Sequence, residues 1–326
     1  MASDKQLFHA VCVEPAPLTA CLELMCSEFC EHAVCLEVLR AQPEGGDAPS
    51  EAGRTSTGRD STKTTAGLQL RATDGGRCSF VDAFFPAQGG IFSRFHSSLD
   101  YQALWLSPKL LAKAISTMSS GDKPTAHACV LHLAVEADHP DELLLVAQVT
   151  TKAGIVKKIS HRLVLLNPLD GGADVFVDGS DFVFTCGAFT EAPGIIAEVL
   201  ADMKKSEAED VELRITPQAL TFRGSSKLTG STVEVCLSAK ACAPGAAQLM
   251  LQVQDDGGHA EVFIARHLLK LSRLAKASQQ VLLQLGPDAP LSAVFGLRGS
   301  ATCQIFLAPS IDDRDDCLQG GSCQDE

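Results

Sequence analysis

Two short segments of the chain carry the same spacing of apolar residues, which is the spacing of a one-sided helix. In 108–119 and again in 193–205, apolar residues recur at i, i+1, i+4, i+5 and i+8. Residues at these intervals share one face of a helix, and that face packs against a sheet. The stripes consist of Leu110, Leu111, Ala114, Ile115 and Met118 in the first helix, and of Ile195, Ile196, Val199, Leu200 and Met203 in the second. The pattern therefore predicts two helices that each bury one side.

The rest of the pattern predicts two more helices among many strands. One helix lies within 15–30, and a basic helix spans 265–278. Short apolar or alternating runs between turn residues predict the strands. These fall at 7–14, 33–39, 67–73, 78–85, 92–97, 103–106, 127–137, 142–151 and 155–166 in the first half, and at 181–187, 211–216, 219–223, 232–237, 247–253, 260–264, 280–285, 291–297 and 302–307 in the second.

Both halves give strand, helix, strands, helix, strands, which predicts a duplicated α+β unit. The chain has 326 residues, more than one ordinary domain. We expect an N-terminal domain at 1–166 and a C-terminal domain at 181–311, each with two helices on one face of an antiparallel sheet. The turn-rich segment 167–180 is the predicted linker. The polar run 41–66 is predicted to be a flexible insertion, and the acidic tail 312–326 to be disordered.

Composition limits the classes of function. The net charge of −13 argues against a protein that binds nucleic acid over its whole surface, although a local basic stripe would still bind phosphates. The 13 cysteines include no C-x2-C zinc pair, so we expect reduced thiols that pack as small apolar side chains. The sequence shows no secretory leader and no membrane span, and we expect neither a metal nor a cofactor.

The predicted helices carry cations on the side opposite their apolar stripes. Within 265–278 the basic residues Arg266, Lys270 and Arg273 recur at i, i+4 and i+7, and the segment has no acidic residue. A charged face is most often simply solvated surface, but this concentration in an acidic chain favours a surface for a polyanion. The candidate phosphate-contacting residues are Lys109, Lys113, Lys204, Lys205, Arg266, Lys270, Arg273 and Lys276.

Several motifs resemble the sliding-clamp superfamily typified by PCNA, the proliferating cell nuclear antigen. The C-terminal run HLLKLSRLAKAS, then QQVLLQL, APLSAVFGL and IFLAPSIDD, is similar to the clamp terminus in order and content. In the first half, CSFVDAFFPAQGGIFSRF followed by SPKLLAKAISTMSSGDKP is more similar to the Rad-one subunit of the nine-one-one checkpoint clamp. The likeness covers nearly the whole chain in element order, but only these short motifs at residue level.

The resemblance implies a subunit of a heterotrimeric ring in the nucleus, with Rad-nine-like and Hus-one-like paralogues and a clamp loader as partners. Its helices would line a hole around duplex DNA and contact phosphates, which carry no sequence information. Clamp topology further implies subunit contacts through two strand edges, one with Ile155, Val156 and Lys157 and one with Ala219, Thr221 and Arg223. The linker lacks the apolar connecting sequence of PCNA, so the resemblance does not extend to the PCNA pocket for partner peptides.

Two other functions fit the same sequence. One is a homotrimeric replicative processivity clamp, and the other is a metal-dependent 3'-5' exonuclease. A nuclease would need carboxylates that converge from several elements, and the chain has no GxGxxG, P-loop or HExxH motif. The nearest cluster of metal ligands, Cys26, Cys30, His32 and Cys35, is predicted to be core packing. We therefore expect no catalytic residues.

Overall fold

The fold comes from a computed structural model of the whole chain. It describes residues 6–29, 33–40, 65–119, 126–151, 154–167, 177, 179–239, 249–254 and 257–310. The predicted insertion at 41–66, except for its last two residues, and the predicted tail at 312–326 lie outside the described residues, as does most of the linker. No helix in the described ranges is long and apolar enough to cross a bilayer.

The two halves of the chain contain the same elements in the same order. The first half consists of β1 (Gln6–Cys12), α1 (Pro15–Leu24), β2 (Val34–Leu39), β3 (Gly67–Thr73), β4 (Ser79–Pro86), β5 (Phe92–Ser97), β6 (Tyr101–Leu106), α2 (Pro108–Ser119), β7 (Ala126–Glu136), β8 (His139–Thr151) and β9 (Val156–Val164). The second consists of β10 (Cys186–Thr190), α3 (Gly194–Lys205), β11 (Asp210–Ile215), β12 (Ala219–Ser225), β13 (Thr232–Ser238), β14 (Leu249–Val253), β15 (His259–Ile264), α4 (Ala265–Leu268), α5 (Leu271–Ala277), β16 (Gln280–Leu285), β17 (Leu291–Gly296) and β18 (Thr302–Leu307).

Strand pairing repeats between the halves as well. The first half forms a five-stranded sheet in the order β5-β1-β7-β8-β9, and the second half contributes the equivalent order β14-β10-β16-β17-β18. Strands β4, β3, β2 and β6 form a second unit, and β13, β12, β11 and β15 repeat it as a four-stranded sheet. Antiparallel pairing of β18 with β4 joins the halves into one nine-stranded sheet. The predicted α+β architecture with helices against antiparallel sheets is confirmed.

The predicted helical stripes pack as expected at every described side chain except the first of each helix; the side chain of Met118 lies outside the described residues. Leu111, Ala114 and Ile115 of α2 are buried, as are Ile196, Val199, Leu200 and Met203 of α3. The first stripe position of each helix is exposed instead, since Leu110 is 50% and Ile195 is 40% accessible. The apolar period predicted these two side chains on the buried face, but no described part of this chain covers them.

Several predicted elements differ in their bounds, and three of them also differ in form or position. The helix within 15–30 continues past α1 as a π-helical turn at Met25–Phe29. The basic helix predicted at 265–278 is broken at Leu269–Lys270, where the Lys270 N–H bonds to the His267 carbonyl at 3.2 Å, one residue closer than in an α-helix. The strand predicted at 181–187 forms later, as β10.

We predict that Ile305→Ala at the seam between the halves destabilises the whole protein. Ile305 lies on β18, is fully buried and pairs with Val81 of β4, so truncation leaves a cavity worth about 2–5 kcal/mol. Urea unfolding followed by circular dichroism measures the effect. The exposed Thr302 on the same strand supplies the control, Thr302→Ala. Equal midpoints for the two variants would contradict a seam that depends on packing.

Candidate nucleic-acid interface and assembly edges

Most of the predicted phosphate-contacting side chains are exposed on the helices. Lys109 and Lys113 lie on α2, and Lys204 and Lys205 lie at the end of α3. Arg266 lies on α4, and Arg273 and Lys276 lie on α5; all seven are exposed. The helices also contact one another, α1 with α2, α3 with α5, and α1 with α5 across the two halves. The exposed cations therefore belong to one connected helical layer, on which Glu23, Glu198 and Asp202 are the interspersed exposed acids.

Lys270 differs from the other cations because its side chain is buried in the junction between the halves, whereas Arg273, which also contacts the first half, stays exposed. The Lys270 side chain is only 9% exposed, and its ammonium lies 3.5 Å from the Asp74 carboxylate and 3.2 Å from the Ser79 hydroxyl. It also stands 4.5 Å from the centre of the Phe29 ring, a cation–π distance. The helical period placed Lys270 with Arg266 and Arg273, but the break at Leu269–Lys270 and the contact with Asp74 turn it toward the first half. We therefore leave Lys270 out of the candidate DNA-facing set.

Asp74 is the acceptor around which this junction is built. One of its oxygens accepts the N–H groups of Cys78 and Ser79 at 2.7 and 3.1 Å, and the other accepts the Ser79 hydroxyl at 2.6 Å. Burial alone would raise the pKa of Asp74, but the Ser79 bonds, the charge of Lys270 and the Cys78 N–H together lower it. Asp74 is thus an ionised carboxylate at neutral pH, held in a turn of the first half against a helix of the second.

His267 completes the junction as a neutral side chain. Its Nδ1 lies 3.5 Å from Asp74, and the Arg266 guanidinium donates to its Nε2 at 3.3 Å. Burial and then the charge of Lys270 lower its pKa, while Asp74 opposes them. Both His267 and Lys270 lie 3.5 Å from Asp74. We regard the Lys270–Asp74 contact as the stronger of the two, because it joins opposite charges whereas His267 is neutral. Arg273 adds a 2.7 Å hydrogen bond to Ser27 beside α1.

Of the two strand edges predicted from the sequence, only the first is an edge in the structure. Strand β9 is an edge strand of the five-stranded sheet, and Ile155, Val156 and Lys157 are exposed at its start. Whether this edge binds another subunit stays a prediction.

The second predicted edge, Ala219, Thr221 and Arg223, is corrected by the strand order. These residues lie on β12, which is paired on both sides, with β11 and with β13. The edge strands of this sheet are β13 and β15. Strand β13 lies next to β12, and its exposed residues alternate with partly buried Val233, Val235 and Leu237. Its period-2 pattern was visible in the sequence, but the sequence did not reveal which strand comes last.

A cavity of about 420 Å³ lies beside the end of the linker. Its walls include Phe80, Phe306, Pro290 and, from the linker side, Val177 and Phe182. The linker sequence gave no reason to expect an apolar pocket here, yet the two linker-side residues close one against β4 and β18. Its walls are mostly apolar, and they also include the charged residues Arg77 and Asp288.

The described residues offer no clear catalytic constellation. No group of three or more His, Cys, Asp or Glu residues among them is placed to hold a metal ion. Two neighbouring carboxylates, Glu37 and Asp82, are bridged by Arg71 at 3.2 and 3.3 Å, so their charges are compensated within the sheet. Of the predicted core cluster, Cys35 is buried and Cys26 is partly buried, while Cys30 and His32 lie outside the described residues.

Comparison with solved structures shows the class of fold. The chain is similar to the crystal structure of proliferating cellular nuclear antigen from Entamoeba histolytica, with a TM-score of 0.67 and 15% sequence identity, over 94% of this chain and 100% of that one. No protein-family model matches the sequence, and neither does any curated protein. The chain therefore has the PCNA-like sliding-clamp fold, with its duplicated strand order.

We predict that Asp74→Asn weakens the junction between the halves in a pH-dependent way. Loss of the charge leaves Lys270 without its carboxylate, at a cost of about 1–3 kcal/mol at pH 7. The folded-state pKa of Asp74 is lowered, so its stabilisation is present above an unfolded pKa of about 3.9 and is lost as the pH falls through the folded value. Urea unfolding at pH 7 and near pH 3 should show a difference that shrinks in acid.

The exposed Asp141 supplies a matched control, since Asp141→Asn removes the same charge on β8, outside the junction. This variant should unfold like the wild type at both pH values. A stability loss for Asp74→Asn that is the same at both pH values would show that the turn needs the side-chain shape and not the charge.

Proposed function

We propose that this protein is a non-enzymatic subunit of a heterotrimeric ring that encircles duplex DNA in the nucleus and acts in DNA damage checkpoint signalling and repair. Its partners are two paralogous clamp subunits, Rad-nine-like and Hus-one-like, and a clamp loader. The clamp fold supports a sliding clamp, and the motif likeness in the first half supports the checkpoint subunit. Contacts with DNA are to backbone phosphates, so the ring has no sequence preference.

The single observation that carries this proposal is the junction inside the chain. There, the last strand of the second half, β18, pairs with the fourth strand of the first half, β4, along six residue pairs. The strands at the same positions of the other half are β9 and β13, and both are edges. A neighbouring subunit that adds its fourth strand to β9 would repeat the internal junction, and so would one that adds its last strand to β13. Such head-to-tail contacts form a closed ring when the rotations from each subunit to the next add up to one full turn.

The helical layer supports a DNA-facing side. Seven exposed cations lie on α2 to α5, although the chain has a net charge of −13. Positive charge is therefore concentrated on the helices, in a chain that is acidic as a whole. Binding by counterion release needs this local concentration. The layer carries few aromatic groups for stacking on bases, in keeping with one Trp and one Tyr in the whole chain.

Two alternatives make different predictions for the purified protein. A replicative processivity clamp would form a homotrimer by itself, whereas the proposed subunit forms a ring only when mixed with its two paralogues. An exonuclease would degrade DNA in a metal-dependent way that is lost on mutation of a carboxylate. Size-exclusion chromatography with light scattering, followed by a nuclease assay with Mg²⁺ and Mn²⁺, distinguishes the three.

We predict that Lys109→Ala, Lys113→Ala and Lys276→Ala together weaken retention of the assembled ring on DNA. Each cation that neutralises a phosphate steepens the plot of log affinity against log salt by roughly 0.9, so its removal should flatten that slope by the same amount. Retention on nicked plasmid over a salt series measures this. Lys270→Ala is a control from the same region, since its ammonium serves the junction; it should lower stability and leave the slope unchanged. If the assembled triple variant kept the wild-type slope, these cations would not contact DNA phosphates and the prediction would be wrong.

We predict that proline in β13 separates folding from assembly. Successive N–H groups of a strand point to opposite sides, so of Glu234→Pro and Val235→Pro one removes a bond to β12 and the other removes a donor from the open edge. The variant that loses the donor at the open edge should fold normally by circular dichroism and fail to join a ring. The same pair of changes in another edge strand, at Met250 and Leu251 of β14, should leave assembly intact. Normal assembly of both folded β13 variants would contradict the edge assignment.

A further inference from the structure

The outer face of the five-stranded sheet in the first half carries a cluster of basic side chains. Burial alternates along β1, so that Phe8 and Ala10 point into the core while His9 lies on the opposite side of the sheet. We name as the basic sheet face the five basic residues on that side, which are Arg94 and His96 of β5, His9 of β1, His132 of β7 and Lys158 of β9.

Strand pairing brings four of these residues together, because paired residues share one face of a sheet. Val11 of β1 lies opposite Arg94 on one side and opposite His132 on the other. His9 lies opposite His96. The rings of His9 and His132 stack with their centroids 6.0 Å apart. The face therefore holds a stacked imidazole pair with a guanidinium and a third imidazole beside it.

Lys158 completes the cluster from β9. It pairs with Gln148 of β8, and two residues away on the same strand Val146 pairs with His132. Burial lowers the pKa of His132, and the charge of Lys158 lowers it further. Burial also lowers the pKa of His9, and three neighbouring basic groups of this face add to that effect. Both stacked rings are thus neutral at pH 7, among cations.

No acid of the described residues balances this charge. The exposed Arg94 and Lys158 form no ion pair with any described residue. Two acids lie at the far end of the same face, Glu136 and Glu142, but Arg162 binds them at 2.9 and 3.2 Å. The basic sheet face therefore presents uncompensated positive charge, although the chain as a whole has a net charge of −13.

The second half shows that the fold does not need these basic residues. In the first half the buried Ala10 pairs with Leu133. Its counterpart in the repeated strand order is the buried Ala188, which pairs with Leu283. Along the same registers, the positions of the five basic residues are held in the second half by uncharged residues, namely Met250, Gln252, Gly187, Leu282 and Thr302. A requirement of the sheet would apply to both halves, so the basic sheet face serves another purpose.

The basic sheet face and the exposed cations of the helices lie on opposite sides of the sheet. Helices α1 and α2 pack on the core side, where they contact β7 and β9. Alternate residues of a strand point to opposite sides, so duplex DNA on the helical layer does not reach Arg94 or His96. A strand added to the β9 edge would bind backbone groups and leave the outer side of Lys158 open.

We propose that the basic sheet face docks a carboxylate-rich peptide segment of a partner protein. Uncompensated cations favour an acidic partner, and Arg94 can bind a carboxylate through two parallel hydrogen bonds. In an extended segment, alternate side chains point the same way at intervals of about 6.8 Å. Arg94 and His96 are two residues apart on β5 and have the same spacing. This inference goes beyond the ring function and holds whether or not the chain is in a ring.

The probe is a fluorescein-labelled peptide of alternating Glu and Ser residues, with a Gln and Ser peptide as its uncharged counterpart. Fluorescence anisotropy with the full chain should show binding of the Glu peptide only. Arg94→Gln with Lys158→Gln should weaken this binding about fivefold or more, because two ion pairs are lost. The matched control is Lys109→Gln with Lys113→Gln, which removes the same charge from α2 on the other side of the same half. It should fold and bind the Glu peptide like the wild type.

The stacked histidines add a second readout. Carboxylates beside His9 raise its lowered pKa, so the complex takes up protons and the peptide should bind about threefold or more tightly at about pH 6 than at about pH 8. His9→Gln with His96→Gln should reduce this pH response, whereas the α2 control should keep it.

The proposal is overturned if the wild type does not bind the Glu peptide, or if Arg94→Gln with Lys158→Gln binds it as tightly as the wild type. An equal loss in the α2 control would also overturn it, because general charge attraction would then explain the binding. If a short DNA duplex bound instead, and only the Arg94 and Lys158 double variant lost it, the face would take nucleic-acid phosphates and the peptide proposal would be wrong.

Discussion

The pairing of β18 with β4 is the interaction on which the rest of this structure depends. It joins five strands of the second half to four strands of the first in one continuous nine-stranded sheet, and it brings α5 of the second half against α1 of the first. Because each half has the same strand order, this one seam uses the last strand of one half and the fourth strand of the other. The two strands at the equivalent positions, β9 and β13, stay unpaired on one side: β9 is an edge of the five-stranded sheet, and β13 is an edge of the four-stranded sheet. Open edges present unpaired donors and acceptors, and a head-to-tail neighbour satisfies both at once.

The seam also explains why charges on equivalent helices have different roles. Lys113 is exposed on the unbroken helix α2, whereas Lys270 lies at the closed junction between the halves, where Asp74 and Ser79 bind it. The exposed cations on the other helical turns remain accessible to phosphates. Lysine thus stabilises the internal junction at one position and belongs to the candidate DNA surface at others. The role of each lysine depends on whether the strands next to it are paired.

Much of the fold could be predicted from the sequence, because helix and strand periods are local properties. The stripes of α2 and α3, and strands such as β5, β16 and β18, were predicted at or near their observed bounds. What local pattern could not supply was pairing between distant segments. Strand β12 could not be recognised as internal without knowing that β13 follows it in the sheet. Lys270 could not be separated from Arg266 and Arg273 by spacing, since its partner Asp74 lies 196 residues away. Likewise, the exposed Leu110 and Ile195 continue regular apolar stripes and are distinguished only by what fails to cover them.

The most direct test of this account is amide hydrogen exchange of the chain alone and within the assembled ring. Exchange reports the opening of individual backbone hydrogen bonds. If subunits repeat the internal seam, protection should rise in β9 and β13 on assembly, while the edge strands β5, β6, β14 and β15 keep the exchange rates of the isolated chain. Protection that appears at those four strands, with β9 and β13 unchanged, would contradict the central claim.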